Sequence, residues 1–164
     1  NGMKMERKGR KFCIRKLKQQ ILIVDDSEIN REILKEILKE DYRILEAANG
    51  GEECLEQLER YGTGISLVLL DIVMPEMDGF EVLAAMNQNH WIEDIPVIMI
   101  SSEDSDSYIR RAYEMGVSDY ISRPFDAKIV YQRVLNMIKL YAKQRRLIRL
   151  VTRQIYEKRE ITGC

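Results

Sequence analysis

The feature that most constrains this fold is a fivefold alternation of short apolar segments with longer segments of helical periodicity. Each apolar segment has four to six residues, which is too short for a helix and typical of a strand buried on both faces. Strands that alternate with helices pair in parallel and connect through right-handed crossovers. We therefore predict an α/β fold with one parallel sheet, whose strands lie near residues 21–25, 42–47, 65–70, 95–100 and 119–122.

Local signals predict where several helices begin and end. Gly116 is a natural C′ residue for a helix over residues 106–115. No glycine or proline occurs between Asp126 and Ile161, so the last helix is expected to run for about 33 residues and ~50 Å. Ser27 has the residue type of an N-cap, and the apolar residues after it share one helical stripe: Ile29, Ile33, Leu34, Ile37 and Leu38.

Chemically active residues follow the predicted strands. Asp25 and Asp26 follow the first strand, Asp71 the third, Ser101 the fourth and Arg123 the fifth. The carboxyl ends of parallel strands are where ligands bind in such sheets. Crowded carboxylates repel one another, and a divalent cation with a preference for hard oxygen ligands, such as Mg²⁺, relieves that repulsion.

The residues at the strand ends favour phosphoryl transfer to the protein itself over nucleotide binding. No GxxxxGK[ST] or GxGxxG motif is present, so the sequence does not predict a glycine-rich nucleotide-binding loop. An aspartate can itself accept a phosphoryl group, and Asp71 is the best candidate because five of the six residues before it are apolar. Asp26 would then bind the metal, while Ser101 and Arg123 would receive the phosphoryl oxygens. A lone Asp after a strand is often just an N-cap, but coincidence does not explain the whole set.

Four motifs together resemble the CheY-like receiver domains of bacterial two-component response regulators. They are "ILIVDDSEINRE", "LVLLDIVMPEMDGFEVL", "PVIMISSEDS" and "DYISRPF". The resemblance covers about residues 20–140. It implies a flavodoxin-like (βα)5 fold, with a doubly wound sheet of five parallel strands in the order 2-1-3-4-5.

The resemblance also implies roles for the acidic residues. Asp71 corresponds to the phosphoacceptor, which a sensor histidine kinase or a phosphotransfer protein phosphorylates in the presence of Mg²⁺. Asp26, Asp71 and the backbone carbonyl of Val73 correspond to the metal ligands, and Asp25 to a residue that supports the metal through water.

Three further positions correspond to functional residues of the family, and two of them, Ser101 and Tyr120, to its switch residues. Ser101 matches the hydroxyl that moves toward the phosphoryl group, and Tyr120 matches the aromatic that swings inward with it. Arg123 departs from the pattern, because receivers nearly always have lysine there. A planar guanidinium prefers a bidentate contact, unlike a lysine ammonium. The sequence therefore leaves open where the positive charge of Arg123 lies relative to Asp71. The Arg123–Pro124 bond corresponds to a cis peptide in the family, which proline permits.

The C-terminal segment predicts a partner and a further domain. Residues 1–19 form a basic lead-in, 20–140 the receiver domain and 141–164 a helical linker toward an output domain, for which we favour a cyclic-dinucleotide cyclase. A homodimer is predicted through this helix, through the face of the fourth helix, fifth strand and fifth helix, or through both. The alternative is that the helix packs back on its own domain. Gln144 and Lys158 interrupt a heptad pattern formed by Val134, Met137, Tyr141, Ile148, Val151 and Ile155.

Charge and composition exclude several classes. The net charge is −1, but the charges are unevenly distributed. Residues 1–20 contain eight Lys/Arg and one acidic residue, and residues 126–164 contain ten Lys/Arg and three acidic residues. Residues 21–125 contain eight Lys/Arg and 23 acidic residues. Without interleaved aromatic residues these basic ends do not favour nucleic acid, and no apolar run reaches the ~20 residues that span a bilayer. Three scattered cysteines fit a reducing cytoplasm. The single histidine, His90, lies in a polar stretch, so the sequence does not favour a Ser-His or Cys-His catalytic pair.

We therefore predict a phosphorylation-controlled signalling domain and not a classical enzyme. Two alternatives remain. One is a pseudo-receiver that dimerises without phosphorylation, which Arg123 favours. The other is an aspartyl-phosphate phosphatase of the haloacid dehalogenase type, which needs a second aspartate where this chain has Val73.

Overall fold

The fold is a parallel sheet with helices on both faces, as the alternating pattern predicts. The computed structural model describes residues 18–162, so the basic lead-in lies almost wholly outside the described residues. The sheet has five strands in the order β2-β1-β3-β4-β5, and all four pairings are parallel. The predicted fold class is confirmed. The strands are β1 (Gln20–Val24), β2 (Arg43–Ala47), β3 (Ile65–Leu70), β4 (Val97–Ser101) and β5 (Asp119–Ser122).

The central strand β3 shows why the sheet needs helices on both sides. All six of its residues are buried, and successive side chains point to opposite faces. Val68 and Leu70 belong to one hydrophobic core, while Leu67 and Leu69 belong to another. The helices that bury these faces are α1 (Glu28–Leu38), α2 (Gly51–Tyr61), α3 (Gly79–Gln88), α4 (Asp106–Glu114) and α5 (Ala127–Ile161), with a short 3₁₀ helix at Gly62–Gly64 and one helical turn at Trp91–Asp94.

The two cores assign each helix to a face. Cys54 of α2, Phe80 of α3 and Ala112 of α4 pack in the core that contains Val68. Helices α1 and α5 pack in the core that contains Leu67, through Leu34, Leu38, Val130, Val134 and Ile138. No helix among residues 18–162 is long and apolar enough to cross a bilayer.

The predicted helix boundaries agree with the observed caps. The Ser27 side chain accepts a hydrogen bond from the backbone N–H of Asn30 at 3.4 Å. Asp126 caps α5 in the same way, accepting from the N–H of Lys128 at 2.8 Å. Gly116 follows the last residues of α4 with a φ of +100°, a conformation that glycine adopts without steric cost.

Helix α1 differs from its predicted burial. Leu34 and Leu38 are buried, but Ile29 is 74% exposed and Ile33 is 46% exposed. A helix contacts a sheet along a narrow line, and the apolar stripe of α1 is wider than that line. Part of the stripe therefore faces solvent beside the carboxyl edge of the sheet.

The first part of the predicted heptad on α5 packs into the core of its own domain. Val134 is fully buried there, and Met137 packs against the same cluster. Tyr141 lies at the margin, with its hydroxyl 3.2 Å from the hydroxyl of Ser118. After Tyr141 the helix continues without interruption and is largely exposed to Ile161. The extended C-terminal helix is confirmed, but its earliest heptad positions are not free to contact a second copy.

The close packing after β3 yields a test of the fold. The N–H of Gly79 donates to the carbonyl of Ile72 at 2.8 Å, and a Cβ at Gly79 would overlap the carbonyl oxygen of Asp71. Gly79→Ala should therefore lower the free energy of unfolding by ~2–3 kcal/mol, measured by urea denaturation. Gly64→Ala is the matched control, because its nearest neighbour is a flexible side-chain atom of Gln20 at 4.0 Å. Equal stability of the two variants would contradict this account of the loop.

Candidate functional site

Three carboxylates meet at the carboxyl edge of the sheet, as the strand ends predict. Asp25 and Asp26 follow β1, and Asp71 follows β3. One oxygen atom from each lies within 4.8 Å of the others, and this is the metal-ligand cluster found among residues 18–162. Asp25 and Asp71 are buried, whereas Asp26 is exposed. The sheet thus holds two acids in the protein interior and leaves the third open to solvent.

Asp71 is fixed by its backbone and by its side chain. Its N–H donates to the carbonyl of Val24 at 3.0 Å, and its Oδ1 accepts a hydrogen bond from the N–H of Ile72 at 2.9 Å. Burial is the main cause that raises the pKa of Asp71 to about 6, and the nearby Asp25 adds to the rise. Arg123 opposes the rise. Asp71 is therefore a carboxylate whose charge is costly unless a cation lies beside it.

Asp25 is almost fully enclosed, with 1% of its surface exposed. Its Oδ1 accepts from the N–H of Ser27 at 2.9 Å, and its Oδ2 accepts from Nη2 of Arg123 at 2.7 Å. Its backbone carbonyl accepts from Nη1 of Arg31 at 2.9 Å. Contacts to both carboxylate oxygens and to the carbonyl leave Asp25 little freedom to move.

Arg123 lies within the acid cluster and not outside it. Its Nη1 is 3.8 Å from Oδ1 of Asp71, while its Nη2 contacts Asp25. The Arg123–Pro124 peptide is cis, as the resemblance implies. The guanidinium thus extends between two carboxylates that follow different strands.

Arg31 is a site residue that the sequence reasoning missed. It lies on α1, and besides the Asp25 carbonyl it contacts Glu46 of β2, with Nε 3.4 Å from Oε1. Its side chain is mostly buried. The available signal was its spacing: Arg31 lies four residues, about one helical turn, after the N-cap Ser27, which brings it back toward the end of β1.

The donor set fits a hard divalent cation. Mg²⁺ takes oxygen ligands and commonly uses one or two carboxylates, and Asp26 and Asp71 offer these within the cluster. A positive ion there would also offset the charge that burial makes unfavourable at Asp71. The side chain of Val73 is exposed and apolar, so this position adds no further carboxylate to the edge of the sheet.

The two predicted switch residues form hydrogen bonds with the backbone of the same residue, Glu103. The hydroxyl of Ser101, which is buried, accepts a hydrogen bond from the N–H of Glu103 at 3.1 Å. The hydroxyl of Tyr120 donates to the carbonyl of the same Glu103. Tyr120 is itself buried. Ser101 of β4 and Tyr120 of β5 therefore both contact Glu103.

A family comparison agrees with the fold. The family model described as the response regulator receiver domain matches residues 21–135. Among curated proteins, the chain is similar to the chemotaxis protein CheY of Halobacterium salinarum, with 32% identity over 73% of this chain and 97% of that protein.

Two further relatives add context. The chain is 41% identical to a probable cyclic di-GMP phosphodiesterase of Vibrio cholerae serotype O1, over 70% of this chain but 25% of that protein's length. It also resembles the crystal structure of the CheX-CheY-BeF3-Mg²⁺ complex of Borrelia burgdorferi. That match has a TM-score of 0.65 and 33% identity, and it covers 71% of this chain and 87% of that chain.

The raised pKa of Asp71 predicts a stability change that depends on pH. With metal removed by EDTA, Asp71→Asn should raise the free energy of unfolding at pH 8 by ~1–2 kcal/mol, because it removes a buried charge. The folded-state pKa is about 6, above the ordinary 3.8. The loss of folding stability caused by ionised Asp71 in the wild type is therefore complete above pH 6. It disappears as pH falls below about 4, where Asp71 is protonated in both the folded and the unfolded state.

The measurement is urea denaturation of both proteins at pH 8 and near pH 4. Asp78→Asn is a control for a carboxylate outside the cluster, since Asp78 caps α3 through the N–H of Glu81. If Asp71→Asn raised the free energy of unfolding by the same amount at both pH values, the raised pKa of Asp71 would be contradicted.

Proposed function

This chain belongs to the response regulator receiver domain family, and from that premise we propose that Asp71 accepts a phosphoryl group. The donor is a phosphorylated histidine on a sensor kinase or on a phosphotransfer protein. The observation that carries the proposal is the buried Asp71 carboxylate, with its raised pKa, beside two other acids and one guanidinium. The receiver then controls an output domain through α5.

Asp71 has one carboxylate oxygen suited to act as the nucleophile. Oδ1 is occupied by the N–H of Ile72, while Oδ2 accepts no hydrogen bond from the described residues. In the transfer, a bond forms between an Asp71 oxygen and phosphorus as the phosphorus–nitrogen bond of the donor histidine breaks. We propose that Asp26, Asp71 and the Val73 carbonyl bind Mg²⁺ and that Asp25 lies in its outer sphere. When bound, Mg²⁺ supplies charge neutralisation for the phosphoryl oxygens.

Ser101 and Arg123 are placed to contact the phosphoryl group. The Ser101 hydroxyl oxygen accepts from the N–H of Glu103, and a hydroxyl that accepts can also turn its O–H to donate to a phosphoryl oxygen. The Nη1 of Arg123 lies 3.8 Å from Asp71, close enough to meet an oxygen added there. Positioning and charge neutralisation supply most of the catalysis in such transfers.

A contact path leads from this site to α5. Tyr120 donates its hydroxyl to Glu103, and its backbone carbonyl accepts from Nη1 of Arg133 at 3.4 Å. Arg133 lies on α5 and also contacts Asp119, with Nε 3.7 Å from Oδ2. A change in the Ser101–Glu103 loop would therefore reach the helix through Tyr120.

Phosphoryl acceptance can be tested directly. Incubation with acetyl phosphate and Mg²⁺ should add one phosphoryl group per chain, because the acid cluster, Ser101 and Arg123 surround Asp71. Intact-mass spectrometry measures the addition, and borohydride trapping followed by peptide mapping locates it at Asp71.

Two variants serve as controls for that experiment. Asp71→Asn should take up no phosphoryl group, and Asp26→Asn should lose the dependence on Mg²⁺ together with most of the uptake. An unmodified wild-type chain, under conditions that modify another receiver domain, would count decisively against the proposal.

We also propose that α5 joins two copies of the chain. Beyond the domain it exposes Ile148, Val151 and Ile155, which share one stripe at heptad spacing. The charged residues of this part lie mostly off the stripe, so a second, parallel copy can cover it. The face of α4, β5 and α5 is the second candidate surface, where Tyr113 is exposed.

Neighbouring residues of similar exposure test the dimer. Val151 is 56% exposed and lies on the stripe, whereas Leu150 is 51% exposed and lies off it. Val151→Lys should weaken self-association by at least about tenfold, because a charge would enter the seam, and Leu150→Lys should change it little. Sedimentation equilibrium measures both. A monomeric wild type, or equal losses in the two variants, would contradict the proposal.

The output is proposed from a relative and not from the site. The chain spans a quarter of the length of the Vibrio cholerae relative, whose name refers to cyclic di-GMP. We propose an output that acts on a cyclic dinucleotide, with a cyclase favoured. The receiver's own chemistry is then limited to phosphoryl acceptance and hydrolysis on itself. The proposal includes a cytoplasmic location, which the three scattered cysteines favour.

A pseudo-receiver is the second candidate. Two observations favour it: Arg123 already contacts Asp25, and Tyr120 is already buried. In that case the dimer would form without phosphorylation, and the acetyl phosphate experiment decides between the two. A haloacid dehalogenase phosphatase is less well supported, since Val73 occupies the position of its second acid.

A further inference from the structure

Two residues of α5 stay in contact with the domain after the hydrophobic core has ended. Ile138 is the last residue of α5 that packs in that core. From residue 139 to residue 162 every side chain is exposed except those of Tyr141 and Arg145. Because residues four apart are neighbours on one side of a helix, Tyr141 and Arg145 face the same way. The helix therefore lies against the domain for about two turns beyond the core.

The partners of these two residues lie at the amino ends of β4 and β5, at the edge of the sheet opposite the acid cluster. The hydroxyls of Tyr141 and Ser118 are 3.2 Å apart. Nη2 of Arg145 donates to the carbonyl of Asp94 at 3.4 Å. Asp94 ends the helical turn before β4, and Ser118 directly precedes β5. Together, the Tyr141–Ser118 and Arg145–Asp94 contacts are called the latch.

The geometry of the latch is that of a weak attachment. Both distances exceed the ordinary range of hydrogen bonds for their types of donor. The buried Nε of Arg145 has no hydrogen-bond partner among the described residues, and an unsatisfied buried donor destabilises the arrangement that encloses it. A small change in free energy is therefore enough to open the latch.

Strand β5 joins the latch to the switch residue. Ser118, Asp119 and Tyr120 are consecutive in the chain. Asp119 and the carbonyl of Tyr120 contact Arg133, which lies two turns before Tyr141 on α5. A displacement of β5 at Tyr120 therefore acts on α5 at two levels, one at Arg133 and one at the latch.

The latch also limits how much of the helix a second copy can cover. While it is closed, the heptad positions that are free of the domain begin at Ile148, and residues 148–161 make two heptads. When it is open, Tyr141 becomes available, and residues 141–161 make three heptads. A pattern sustained over three or more heptads is typical of a coiled coil. Opening the latch therefore lengthens the seam to the range in which helices pair.

We propose that the latch is an autoinhibitory contact. It limits the pairing of α5 while Asp71 is unmodified, and it opens when Asp71 accepts a phosphoryl group. The inference deepens the proposed function and rests on it for the phosphoryl group and for the pairing of α5. Contacts at the amino edge of the sheet thereby control an event that the carboxyl edge initiates.

Self-association of the unmodified chain tests the autoinhibitory role. Arg145→Gln should strengthen it by at least about fivefold, which is the effect of one hydrogen bond of average net strength on an equilibrium. Ser118→Ala should act in the same direction from the domain side, without altering α5. Arg146→Gln is the matched control and should change the association little, because Arg146 has the same charge but is exposed. Sedimentation equilibrium measures each variant. Equal association in Arg145→Gln and Arg146→Gln would overturn the proposal.

Beryllofluoride, a phosphoryl analogue, tests the link between the latch and Asp71. With Mg²⁺ present, it should strengthen wild-type self-association by at least about fivefold. In the double variant Ser118→Ala/Arg145→Gln the added strengthening should be less than about twofold, because the latch is already open there. The same factor in both proteins would overturn the proposal.

Hydrogen exchange separates a failure of the latch from a failure of the proposed function. At a concentration where the chain is monomeric, the amides of residues 139–146 should exchange at least about fivefold faster in the double variant than in wild type. Mass spectrometry measures the exchange, and circular dichroism checks that each variant is folded. If the double variant does not fold, Arg145→Gln alone takes its place. A wild type that binds no beryllofluoride would contradict the proposed function, whereas unchanged exchange in the variant would overturn the latch itself.

Discussion

The structure depends on an electrostatic constraint at the end of a buried sheet. Parallel pairing of β1 with β3 brings Asp25, Asp26 and Asp71 to one edge, where an oxygen of each lies within 4.8 Å of the others. Burial raises the pKa of Asp71, and Arg123 offsets part of that cost. The apolar strands that stabilise the fold therefore also make Asp71 rigid and its negative charge energetically unfavourable. A bound metal ion or an added phosphoryl group would change the electrostatic balance at that point, and the proposed signalling role rests on this.

Helix α5 connects this edge to the rest of the protein. Its first turns belong to the core through Val130, Val134 and Ile138, and its later turns extend from the domain. Arg133 contacts both Asp119 and the carbonyl of Tyr120. One continuous helix thus contacts the switch residue at one end and exposes an apolar stripe at the other. The same element can respond to the site and present the surface on which two copies would meet.

Sequence reasoning predicted the fold because burial and backbone geometry leave local marks. The apolar strands, the Ser27 cap, the start of the last helix near Asp126 and the position of Gly116 all rest on short-range rules, and the structure agrees with them. Asp71 was identifiable because a charge at the end of a strand with five apolar residues out of six needs a reason. What the sequence did not show depends on tertiary packing. It did not show that Ile29 faces solvent, that Val134 serves the receiver's own core, or that Arg31 contacts the Asp25 carbonyl. The location of the Arg123 charge was likewise undecided until its distances to Asp25 and Asp71 were known.

The central claim is that a phosphoryl group on Asp71 changes the loop at Glu103 and, through Tyr120, the helix α5. The most direct measurement is a pair of amide NMR spectra of the wild-type chain, with Mg²⁺ alone and with Mg²⁺ plus beryllofluoride. The account predicts shifts at the amides of Glu103, Tyr120 and Arg133 when beryllofluoride is added, and none of these shifts in Asp71→Asn. Unchanged spectra in the wild type, or the same shifts in Asp71→Asn, would contradict it.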